Sequence, residues 1–174
     1  QAAALGSFAV AKQKQSIAVG NNTEANGVGS VSIGGDDSGS YNSSGQYSSA
    51  ISGKFYDLNS GNYRPTYSAG NGSTAISPHA QALTQGSTAI GTGATAGEGT
   101  MGTGSTLENG ATTSDWTPST ASIEATAVGT LSVAAKAHTT AVGFKAQALA
   151  NDSLVVGSNA TANAINSIVL GVNS

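Results

Sequence analysis

The sequence has no cysteine, which excludes disulfides, thiolate metal sites and cysteine nucleophiles. Charge is scarce as well: 9% of the 174 residues are charged and the formal balance is -3, so nothing electrostatic favours nucleic acid or anionic lipid. Aromatics make up 5% and glycine contributes 24 residues, poor material for a conventional globular core. Low charge with abundant Ala, Val, Ile and Ser also argues against disorder. No apolar run reaches about 18 residues, and no basic segment precedes a short apolar one, so neither a membrane span nor a secretory signal is expected in this stretch.

Catalytic signatures are missing too. The chain holds no Gly-x-Ser-x-Gly, His-Glu-x-x-His or P-loop. Residues 97–102 fit Gly-x-Gly-x-x-Gly, yet no amphipathic helix pattern follows, and so many glycines produce such matches by chance. His79 and His138 stand alone and far apart, which suits solvated loop positions better than metal ligands or bases. Asp36-Asp37 lacks the spaced acidic residues of a calcium loop and reads as turn capping. The expectation is a protein that is not an enzyme, with no cofactor and no metal.

What is present is a repeat. Ala125-Thr-Ala-Val-Gly129, Thr139-Thr-Ala-Val-Gly143, Ser153-Leu-Val-Val-Gly157 and Ser167-Ile-Val-Leu-Gly171 follow one another at steps of fourteen residues. The same line occurs upstream as Ser16-Ile-Ala-Val-Gly20, Ser30-Val-Ser-Ile-Gly34, Ser73-Thr-Ala-Ile-Ser77 and Ser87-Thr-Ala-Ile-Gly91, with a weaker copy at 48–52. Two intervals break the period: Gly34 to Ser77 spans 43 residues and Gly91 to Gly129 spans 38. The chain therefore reads as one domain, 1–174, of about ten coils interrupted by insertions near 35–72 and 92–124.

Each unit alternates twice. Before the Gly, branched residues such as Ile17 and Val19 or Leu154 and Val156 share one face of a strand of period two. After it, spaced alanines such as Ala94 and Ala96 or Ala146 and Ala148 mark a second strand. Glycine at the turn supplies positive φ, and stacked coils pair in parallel at about 4.8 Å per layer. On this reading the branched row faces the spaced alanines across a thin core. Polar residues such as Asn22, Glu24, His79, Gln81, Lys145 and Asn159 point to water from the second strand. The remaining row, Ala18, Ser32, Ala75, Ala89, Ala127, Ala141, Val155 and Val169, is small and mostly apolar and points outward from the first strand. Strands apolar on both faces are normally covered on both, and the simplest partner is another copy of the chain.

The repeat Ser-Ile/Val-Ala-Ile/Val-Gly followed by spaced alanines resembles the head repeat of the trimeric autotransporter adhesins of Gram-negative bacteria, typified by the Yersinia adhesin A. The match covers 1–34, 73–96 and 125–174. The resemblance implies a left-handed parallel β-roll packed as a homotrimer, carried on a stalk and anchored in the outer membrane by parts that this stretch does not contain. It also implies a bacterial cell-surface location and attachment to host extracellular-matrix or cell-surface proteins, with no direct membrane contact from this stretch. The row from Ala18 to Val169 would then face the other two chains.

Tyr41, Tyr47, Tyr56, Tyr63 and Tyr67 all fall in the first insertion with the only arginine, Arg64, and the only tryptophan, Trp116, falls in the second. Tyr, Trp and Arg are enriched at interface hot spots, and binding residues sit on loops held by rigid scaffolds. Two readings stay open: these aromatics give the insertions their own small cores, or they contact a ligand. Two other functions compete with adhesion. An ice-binding solenoid is motivated by Thr74, Thr88, Thr126 and Thr140, although on this reading they alternate with the branched residues on the inward face. A β-helix acyltransferase would need a period of six residues.

Overall fold

The computed structural model describes residues 1–35, 65–97 and 124–174, together with the strand backbone at 40–41, 47–48, 56–57, 62–63, 99–101 and 116–118. The chain winds between two parallel sheets. One has nine strands: Ala3–Leu5, Ile17–Gly20, Val31–Gly34, Thr74–Ile76, Thr88–Ile90, Thr126–Val128, Thr140–Val142, Leu154–Val156 and Ile168–Leu170. The other has eight: Val10–Ala11, Thr23–Ala25, Thr66–Ser68, Gln81–Ala82, Thr95–Ala96, Val133–Ala134, Gln147–Ala148 and Thr161–Ala162. Among the described residues there is no helix, and the architecture is a parallel β-solenoid of the β-roll type with about eight turns.

The count differs from the ten coils read off the period, for a specific reason. Val31–Gly34 pairs directly with Thr74–Ile76, and Thr23–Ala25 pairs directly with Thr66–Ser68. The weak copy at 48–52 therefore contributes no layer, and the whole excess of that interval is insertion. The roll also resumes earlier than the repeat alone implied, at Thr66, and continues through Thr95–Ala96 before the second insertion. The first insertion leaves the roll at the turn from the nine-stranded to the eight-stranded sheet. The second leaves at the opposite turn, so the two emerge from opposite edges.

Three residue types shape each coil. The repeating glycines from Gly6 to Gly171 take φ of 121–151° wherever they turn positive, and a Cβ at Gly129 or Gly143 would collide with the carbonyl of the glycine one coil on. Two positions per coil then adopt the left-handed conformation, at Asn22, Lys145 and Asn159 in one turn and at His138, Asp152 and Asn166 in the other. Asn and Asp tolerate it best among residues with a side chain. The serine or threonine opening each motif turns its hydroxyl back onto the carbonyl three residues earlier: Ser16 to Gln13 (2.7 Å), Ser87 to Thr84 (2.7 Å), Thr139 to Lys136 (2.6 Å) and Ser153 to Ala150 (2.6 Å). A carbonyl at the coil edge thereby gains a hydrogen-bond partner in every such layer.

Because each coil repeats the last, like stacks on like. Ala127 pairs with Ala89 and Ala141, and Ala134 with Ala96 and Ala148. The hydrophobic core is an alanine stack, with Ala75, Ala89, Ala127 and Ala141 from one sheet against Ala82, Ala96, Ala134, Ala148 and Ala162 from the other, and Val155 the largest member. Coils with strands of two to four residues and short turns hold the two sheets close, so the interior admits Ala-sized groups.

Candidate interaction surface

This core reverses one expectation. The row Ala18, Ser32, Ala75, Ala89, Ala127, Ala141 and Val155 is fully buried inside the chain's own roll, with Val169 packed against the same cluster. From Ala18 to Val155 none of it is left to face a neighbouring chain, and only Val169, in the last coil, is partly exposed. Because successive strand residues alternate sides, burying this row drives the branched residues on either side of it outward. The spaced alanines of the eight-stranded sheet do face inward as expected.

The outer face of the nine-stranded sheet carries two columns. Nearest the glycines runs an unbroken aliphatic ladder: Leu5, Val19, Ile33, Ile76, Ile90, Val128, Val142, Val156 and Leu170, paired rung to rung along the sheet. Beside it runs Ala3, Ile17, Val31, Thr74, Thr88, Thr126, Thr140, Leu154 and Ile168. Every member of the first column is half-buried or exposed, and Ile33, Ile90 and Val156 are 39%, 36% and 40% exposed in the middle of the stack. Nine rungs at about 4.8 Å make an apolar stripe on the order of 40 Å long. Contiguous apolar surface of this kind marks an interaction site. The signal was present in the sequence as residue size: both rows are apolar, but only the smaller fits between two close sheets.

The outer face of the eight-stranded sheet differs along its length. Lys145 and Asn159 meet water as expected, whereas Asn22, Glu24, His79 and Gln81 are buried, each 6% exposed or less. Tyr67 is the reason for part of this change. It sits in the roll, between Glu24 and Gln81 in the register, and is itself 3% exposed. Asn26 donates to the Tyr67 hydroxyl (3.0 Å) and to the Glu24 carboxylate (3.2 Å), and Lys12 lies 3.7 Å from the same carboxylate. Tyr67 is thus a packing residue and not an exposed ligand contact. His79 is likewise no solvated loop residue, while His138 is exposed and lies 3.0 Å from Asp152 of the next coil.

Of the other aromatic candidates, Tyr41 pairs through its backbone with Tyr47, Tyr56 with Tyr63, and Trp116 with Met101, each in a two-stranded antiparallel ladder. Their side chains, and Arg64 and Asp36-Asp37 altogether, lie outside the described residues. Among the described residues no group of His, Asp and Glu is placed to hold a metal, and no helix is long and apolar enough to cross a membrane.

A parallel β-roll with an internal alanine core and an external aliphatic ladder defines a solenoid built to present a repeating surface. Matches to the YadA head domain repeat (two copies) cover residues 1–23, 11–36, 122–146 and 148–174, together just over half of the chain. The chain belongs to the YadA head family, the heads of trimeric autotransporter adhesins, and its function is of the adhesin type. No curated protein matches the chain.

Proposed function

We propose that this chain is the head of a bacterial cell-surface adhesin that binds host extracellular-matrix or cell-surface proteins without catalysis, as a homotrimer, at the end of an outer-membrane-anchored parent. The observation that carries the reading is the aliphatic ladder on the nine-stranded sheet. A stripe of that length, spaced rung by rung along the coil axis, is matched at every rung only by a surface with the same repeat. The surface that meets this condition is another copy of the chain. Three copies arranged about an axis bury the ladder and leave the eight-stranded sheets outside. Three copies of one weak site then bind a repetitive host surface with avidity. The family to which the repeats belong supports both the self-association and the adhesive role.

The contact residues we assign to the ligand are Tyr41, Tyr47, Tyr56, Tyr63, Arg64 and Trp116. They lie in the two insertions that interrupt an otherwise uniform roll, and such loops on rigid scaffolds are where binding residues concentrate. A binding screen against immobilised matrix proteins tests this. The intact chain should bind at least one of them, and Tyr63→Ala with Arg64→Ala should weaken that binding without changing the β-sheet circular dichroism. Unchanged adhesion would move the ligand site to the repeats. Sedimentation tests the assembly, and a stable monomer at micromolar concentration would refute it. The ice-binding alternative has no support here, because its four threonines share a face with the aliphatic ladder.

A further inference from the structure

The column beside the aliphatic ladder changes chemistry along the roll. Ala3, Ile17 and Val31 precede Thr74, Thr88, Thr126 and Thr140, and Leu154 and Ile168 follow. The four threonines occupy consecutive rungs and are all half-buried. None of their hydroxyls makes a hydrogen bond among the described residues. Elsewhere in the same motif the opposite holds: Ser16, Ser30, Ser73, Ser87, Thr139, Ser153 and Ser167 each donate to a carbonyl of their own turn. A valine would supply the same shape and branching as these threonines. The hydroxyls therefore have no role that the single chain accounts for.

We propose that Thr74, Thr88, Thr126 and Thr140 form a polar band that fixes the axial register of the assembled rolls and selects like copies as partners. The inference rests on the self-association reading above. When identical copies pack in register, each threonine rung meets threonine, and hydroxyls can pair with one another across the interface. A slip of one coil sets Val31 against Thr74 and Leu154 against Thr140, and leaves desolvated hydroxyls unpaired. The uniform ladder cannot enforce this, because its aliphatic rungs fit equally well after a slip of one coil, losing contact only at the ends. A short polar block within an apolar seam is a known way to specify register at some cost in stability.

The test is co-expression of two differently tagged full-length chains, with assemblies counted by native mass spectrometry. Two wild-type chains, differing only in tag, should mix in the statistical ratio. Wild type with the fourfold Thr→Val variant (T74V, T88V, T126V, T140V) should give mixed assemblies at least about tenfold below that ratio, the discrimination that one unpaired buried hydroxyl provides. The fourfold Thr→Ser variant keeps the hydroxyls and should mix freely. A second variant, V31T with T88V, holds the same number of threonines but in a broken band that no slip of the rolls can match to the wild-type one, and it should also segregate from wild type. Statistical mixing of wild type with either the valine or the broken-band variant overturns the proposal while leaving self-association intact. A wild-type chain that is monomeric overturns the self-association reading and this proposal together.

Discussion

At the level of single residues, one glycine per coil carries a double constraint. Gly143 has φ of 133°, and a Cβ there would collide with the Gly157 carbonyl, which is backbone and cannot yield. Gly72, in the other turn, has φ of 65° and open space around the Cβ position. Gly143→Ala should therefore cost at least about 2 kcal/mol and Gly72→Ala about 1 kcal/mol, from left-handed strain alone; urea titration of both variants separates them. The motif serine makes a smaller and different contribution. Ser153 is buried and donates to the Ala150 carbonyl at 2.6 Å, so Ser153→Ala should cost about 1 kcal/mol, with Thr retaining most of it. The glycines announced their role by period alone. The serines recurred just as regularly, but their partner is a carbonyl on the far side of a turn, which a linear pattern does not display. The left-handed positions were similarly hidden, since Phe8, Leu131 and Lys145 adopt them alongside Asn and Asp.

At the level of the strand, the deciding quantity is the distance between sheets. Two strands and two tight turns per coil were legible from alternation, and so was the inward direction of Ala94, Ala96, Ala146 and Ala148. The first strand was harder because both its faces are apolar, which makes the period uninformative about which side is inside. Assigning the bulkier row to the core follows from maximising buried area, but the close sheets exclude it on volume. Two neighbouring substitutions separate the alternatives. Ala141 is fully buried between the sheets whereas Val142 is on the outer ladder. Ala141→Glu should unfold the roll itself, with loss of β-sheet circular dichroism, because an unpaired carboxylate and its volume enter the alanine core. Val142→Glu should leave the roll folded and dissociate the assembly. A folded but monomeric Ala141→Glu chain would show that the inner and outer rows are exchanged.

At the level of the whole molecule, the insertions are additions to an intact roll. The strands flanking the first, Val31–Gly34 and Thr74–Ile76, pair with each other, as do Thr23–Ala25 and Thr66–Ser68. The sequence showed that something interrupted the period but not where, because the weak copy at 48–52 mimicked a coil and Tyr67 looked like one more insertion aromatic. Its place in the eight-stranded sheet is set by pairing with Glu24 and Gln81, residues 43 and 14 positions away. The register now supplies a design. Joining Gly35 to Thr66 through a single asparagine, in place of residues 36–65, places Ser77 fourteen residues after Gly34 and puts the asparagine at the turn position where Asn22 has φ of 50°. Asparagine adopts that conformation with little strain, and removing a long loop lowers the entropy of closing the coil. The shortened chain should fold with a melting temperature at or above that of the parent and assemble to the same size. Under the proposed function it should lose matrix binding that depends on Tyr41, Tyr47, Tyr56 and Tyr63. A shortened chain that unfolds would mean that the first insertion supports the roll, and one that folds and still binds would place the ligand on the second insertion or on the repeats.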